Sequence, residues 1–147
     1  MKILIFILLI LTTPVKASED TVSLIKVSDG DTIKVLLNGE KESIRLLDID
    51  CYETSKNKRA HWQSEYYHLS MGEVIKKGKY SKQKLQNILN PQDKLTLKWK
   101  KRDRYKRILG NVYLSDGTAI SDYMLQKGGC ERYIEKSIKL SKNTKKL

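Results

Sequence analysis

Apolar and polar residues alternate with a period of two through the first part of the chain. Val22, Leu24 and Lys26 alternate with Ser23, Ile25 and Val27, and two β-rich runs follow, Thr32–Leu37 and Ser43–Ile49. Asn38-Gly39 lies between those runs and favours a hairpin. From Ala60 the pattern turns helical. Ser70 followed by Glu73 matches a capping box, and Val74, Gly78, Ser81, Leu85, Ile88 and Leu89 recur at intervals of three and four before Asn90-Pro91. The spacing predicts a helix over Met71–Leu89. Leu95, Leu97 and Trp99 then alternate with Thr96, Lys98 and Lys100, and Arg102 to Lys106 reads as a charged turn. Ile108–Leu114 is another strand, Ser115-Asp116-Gly117 a turn, and Ala119–Lys127 a short helix that Gly128-Gly129 would stop. Five short strands with two helices give a mainly β, α+β domain. A small Greek-key barrel of the OB type accommodates them, and a small α+β sandwich would give a similar pattern.

The first seventeen residues differ from the rest. Lys2, an apolar run from Ile3 to Leu11 and a small residue at Ala17 read as a secretory signal with cleavage after Ala17. A run of nine apolar residues is too short to span a bilayer. The 147 residues hold no internal repeat or Pro/Gly/Ser-rich linker, so one domain is expected from residue 18 to about 134, with a short basic helix or tail over 135–147. Lys and Arg number 29 against 17 acids, a formal charge of +12, and +10 once Lys2 and Lys16 leave with the signal. Such a surface attracts polyanions, of which nucleic acid, anionic membrane and glycan are all candidates. In an oxidising compartment Cys51 and Cys130 are a candidate disulfide. His61 and His68 lack metal-ligand spacing and read as surface or core residues.

The chemistry is carried by acids and arginines. Asp31, in Asp29-Gly30-Asp31-Thr32, stands at the entry to a strand, and Asp50 closes another that a hairpin joins to it, so the two carboxylates can converge. Hard oxygen ligands of this kind favour calcium or magnesium, and two carboxylates with a carbonyl and waters suit calcium. Glu53, three residues beyond Asp50, can reach a water near such a cation and take its proton or orient it. Arg45, within the apolar segment Ile44-Arg45-Leu46-Leu47, and Arg107, opening a later strand, can clamp phosphate oxygens. Taken singly, each also has an ordinary reading: Asp-Gly-Asp as a turn, Glu53 as a surface acid, Arg45 as a solvent-facing residue, Arg102 to Arg107 as a solvated loop.

Taken together, these residues resemble the staphylococcal nuclease (thermonuclease) family over roughly Val22 to Tyr133. The resemblance is carried by Asp-Gly-Asp-Thr, by the Arg45-Leu-x-x-x-Asp50-x-x-Glu53 segment, and by Asp-Arg-Tyr-Lys-Arg where the family has Asp-Lys-Tyr-Gly-Arg. It implies a five-stranded OB barrel with two to three helices, and calcium-dependent cleavage of DNA and RNA with little sequence preference, leaving 5'-hydroxyl and 3'-phosphate ends. By that resemblance Asp31 and Asp50 match calcium ligands, with the main-chain carbonyl of Cys51 as a third. Glu53 matches the general base, and Arg45 and Arg107 match the phosphate-binding arginines. Arg104, Tyr105 and Tyr133 match substrate-side positions. The family's barrel would also bring Cys51 near Cys130, implying a disulfide between them.

The chain departs from the family at three places. Tyr52 replaces a proline, which removes one φ restraint before Glu53; Lys106 replaces a glycine beside Arg107; and the segment from Glu135 offers only Ile138 and Leu140 for burial before Lys145-Lys146. Trp62, Tyr66 and Tyr67 read as packing residues. Three functions follow from the sequence: a secreted or periplasmic monomeric calcium-dependent nuclease, an inactive OB module that only binds nucleic acid, and a cationic envelope protein.

Overall fold

The computed structural model describes residues 18–133. The signal segment and the basic C-terminal tail expected from the sequence lie outside the described residues.

Five strands close a barrel. β1 (Ser18–Asp29) pairs antiparallel with β2 (Thr32–Leu37), and β2 pairs antiparallel with β3 (Glu40–Leu46) across an Asn38-Gly39 turn in which both residues have positive φ. After β3 come a two-residue strand, β4 (Ile49–Asp50), and two helices, α1 (Lys58–Tyr67) and α2 (Met71–Ile88). β5 (Lys94–Arg102) and β6 (Ile108–Tyr113) form an antiparallel pair, α3 (Ile120–Gln126) follows, and β7 (Glu131–Arg132) pairs with β4. β6 runs parallel to β3 and β5 returns to β1, giving the order β1-β2-β3-β6-β5 of an OB-type barrel.

The barrel is filled by inward residues of every strand: Leu24, Ile33, Ile44, Leu97 and Ile108 are almost wholly buried, and Leu85 of α2 and Met124 of α3 belong to the same core. Alternation along β1 breaks where its register against β2 shifts between Leu24 and Lys26. The bulge turns Val27 inward and Lys26 outward, reversing the strict period of two read from the sequence.

Two further differences from the sequence pattern shape the site. The run Ser43–Ile49 is not one strand: it ends at Leu46, Asp48 takes a left-handed φ of 65°, and the chain resumes as β4. Asp50 therefore belongs to a separate ribbon with β7 rather than to the barrel strand. The helical pattern from Ala60 resolves into a distinct α1, capped by the Asn57 side chain and stopped at His68 in the left-handed region. α2 starts on the expected Ser70–Glu73 capping box and buries Val74, Gly78, Ser81 and Leu85.

Candidate functional site

Asp31 and Asp50 meet at the seam between the barrel and the β4–β7 ribbon. Asp31 sits in the β1–β2 turn, where its carbonyl accepts from the Leu46 N–H at 2.9 Å and its carboxylate accepts from the Cys51 N–H at 2.8 Å. The turn comes this close because residue 30 is glycine. A side chain there would meet Cβ of Ser81 at 2.7 Å and Cβ of Cys51 at 2.9 Å. Cys51 itself is bonded to Cys130, which fastens the chain just past Asp50 to the segment after α3.

One guanidinium bridges the two acids. Arg45 points outward from β3, with Nη1 at 3.1 Å from Asp31 Oδ2 and Nη2 at 3.5 Å from Asp50 Oδ1. Both carboxylates are buried, and burial pushes the Asp31 carboxyl up to about 7 against the pull of Arg45. Asp50 has a second cationic partner in Arg59, so each of the two buried acids is already compensated by a guanidinium. Their donors are all oxygen, and the nearby sulfur is locked in a disulfide. That chemistry fits a hard divalent cation. Among the described residues no group of three or more His, Cys, Asp or Glu side chains forms a ready metal cage, so main-chain oxygen and water would have to complete the coordination.

Glu53 is held by α1 and the loop before it. Its carboxylate accepts from Asn57 Nδ2 at 2.7 Å, and its N–H donates to Gln63 Oε1 at 2.9 Å. The Cys51 carbonyl accepts from Gln63 Nε2 at 3.0 Å. Arg59, one turn earlier on α1, places Nη2 at 2.5 Å from Asp50 Oδ2 and rests over the Trp62 ring at 4.5 Å. Tyr52 is buried against Tyr67, Ala60 and Val74, so the residue preceding Glu53 is anchored by packing. Trp62, Tyr66 and Tyr67 contact one another through their rings.

The remaining sequence-predicted residues lie along the β5–β6 turn and β7. Arg107 precedes β6 on the face that carries Arg45, because Arg45 is the register partner of Leu109. The Arg107 guanidinium is taken up by Asp103 at 2.8 Å. Tyr105 is 65 % exposed, with Arg104 at 4.8 Å and Arg107 at 5.6 Å from its ring centre. Tyr133 is also exposed, and its N–H donates to the Asp48 carbonyl.

The staphylococcal nuclease homologue family matches residues 43–147, a segment that includes Arg45, Asp50, Glu53 and Arg107. The chain belongs to that family. An uncharacterized endonuclease of Escherichia coli is 30% identical over 132 residues, covering 90% of this chain and 73% of that protein. Endonuclease YncB of Bacillus subtilis (strain 168) is 34% identical over 108 residues, 73% of this chain and 45% of YncB. The family match begins after Asp31, which reaches the site through the β1–β2 turn.

Arg59, Asn57 and Gln63 were not anticipated from the sequence as parts of the site. Asn57 carried a signal, being an N-cap residue three positions before Ala60. Gln63 carried none, since an isolated glutamine in a polar helix is indistinguishable from a surface residue until its burial is known.

Proposed function

We propose that this member of the nuclease family is a calcium-dependent endonuclease that hydrolyses phosphodiester bonds in DNA and RNA with low sequence specificity. The observation carrying the reading is the Arg45 bridge between Asp31 and Asp50, with Glu53 fixed three residues beyond Asp50. Asp31 and Asp50 would hold the cation, with the Cys51 carbonyl as a third ligand. Calcium, when bound, supplies positive charge to the phosphate oxygens.

The chain's own groups supply the rest. A cation on the acids would release Arg45 from compensating them, leaving its fork of N–H donors for a phosphate. Arg107, on the same barrel face, would reach that phosphate on exchanging its Asp103 partner. Glu53 would take a proton from the attacking water or orient it. Tyr105, flanked by Arg104 and Arg107, offers a ring on which any base can stack, and Tyr133 is a second exposed ring. The +12 charge supports a polyanionic substrate. The N-terminal apolar segment and the Cys51–Cys130 bond support export to the periplasm or beyond.

The Arg107–Asp103 pair favours a second reading, an OB module that binds nucleic acid with weak or no cleavage. Incubating the protein with plasmid, single-stranded DNA and RNA separates the two. We expect degradation of all three in calcium and none after chelation; a gel shift without degradation in calcium would establish the second reading.

A further inference from the structure

We infer that Gln63 is a positioning residue that holds the Glu53 backbone in register with the acid pair, an inference that rests on the phosphodiesterase reading above. Gln63 lies in the middle of α1 and is 1 % exposed, although helices of this polarity usually keep glutamine in water. Its amide spans the loop between Asp50 and α1. The Glu53 N–H is a donor and can face only Oε1, which leaves Nε2 for the Cys51 carbonyl; the two partners thus fix the orientation of the amide.

This bridge connects the carbonyl proposed as the third ligand with the proposed base. Cys51 follows Asp50, its N–H is bound to Asp31, and its carbonyl is bound to Gln63. Glu53 receives the other end of the same side chain. Any movement of α1 or rotation of the Gln63 amide therefore shifts Glu53 relative to Asp31 and Asp50. The Gln63 side chain thus holds the backbone of the loop at two points, Cys51 and Glu53. The carboxylate contact from Asn57 is exposed and fixes only the tip of Glu53, whereas the Gln63 contacts are shielded from water and fix its backbone.

Gln63→Met keeps the length and bulk of the side chain and removes both hydrogen bonds. Gln63→Glu, when ionised, keeps the acceptor for the Glu53 N–H and loses the donor to Cys51. Four quantities are measured on the full chain beside wild type: kcat and KM on single-stranded DNA in calcium, calcium affinity by calorimetry with the metal alone, and exchange of the Glu53 amide hydrogen without calcium. For Gln63→Met we expect kcat to fall by roughly 10- to 100-fold at nearly constant KM. Calcium affinity should fall by less than kcat, since Asp31 and Asp50 keep their partners and only the Cys51 carbonyl loses one, and the Glu53 amide should exchange faster. For Gln63→Glu the amide should stay protected and kcat should lie between the other two. A folded Gln63→Met protein with wild-type kcat, or with an unchanged Glu53 exchange rate, would overturn the inference. Should Gln63→Met not fold, an unprotected Glu53 amide in Gln63→Glu does the same. If wild type does not cleave in calcium, the functional reading fails, and the exchange data alone still decide whether Gln63 holds Glu53.

Discussion

Lys106 occupies a conformation better suited to glycine. Its φ is 65°, in the left-handed region where a side chain costs about 1–2 kcal/mol. The turn tolerates it because Asp103 organises the surroundings: its carboxylate accepts from the N–H groups of Tyr105 and Arg107 and from Arg107 Nε, and its carbonyl accepts from the Lys106 N–H. Lys106→Gly should therefore raise stability by up to about 1 kcal/mol, read as a higher urea midpoint at unchanged slope. A lower midpoint would mean that the turn is not strained. The acids, Arg45 and Glu53 stood out in the sequence because together they resemble the family's motifs, although singly each had an ordinary reading. Their partners did not: Arg59 reaches Asp50 through a helix whose start had to be known first, and the capture of Arg107 by Asp103 depends on the turn's own backbone geometry.

At the scale of elements, the helices decide where Glu53 sits. α2 passes directly behind the loop, and a methyl group on Gly78 would overlap the carbonyl oxygens of Tyr52 and Glu53. Relief would require moving the backbone of the loop or the helix. Gly78→Ala should cost about 1–3 kcal/mol in chemical denaturation, despite the better helix propensity of alanine, and should lower kcat as well. Equal or greater stability would show that the helix can slide away without penalty. α2 and the barrel strands were readable because capping and apolar periodicity agree with their burial. α1 was not separated from α2 in the sequence because its buried positions are only Ala60 and Gln63, so no apolar stripe marks it. The break at Asp48 was also hidden, since Ser43 to Ile49 remains β-rich across a residue that takes a left-handed φ.

Over the whole molecule, barrel closure and the disulfide converge on one seam. The barrel brings the β1–β2 turn beside β3, while the Cys51–Cys130 bond and the β4–β7 pair hold the Asp50 segment to the end of the described chain. With 79 residues separating the cysteines, the bond stabilises the fold by about 4.5 kcal/mol in the chain-entropy model. On the proposed reading, this seam makes Glu53 part of a phosphodiesterase site. The most direct test is kcat of Glu53→Gln against wild type on single-stranded DNA in saturating calcium. We expect a loss of roughly 100- to 10,000-fold with the melting temperature little changed. Cleavage by the folded variant at the wild-type rate would contradict that reading.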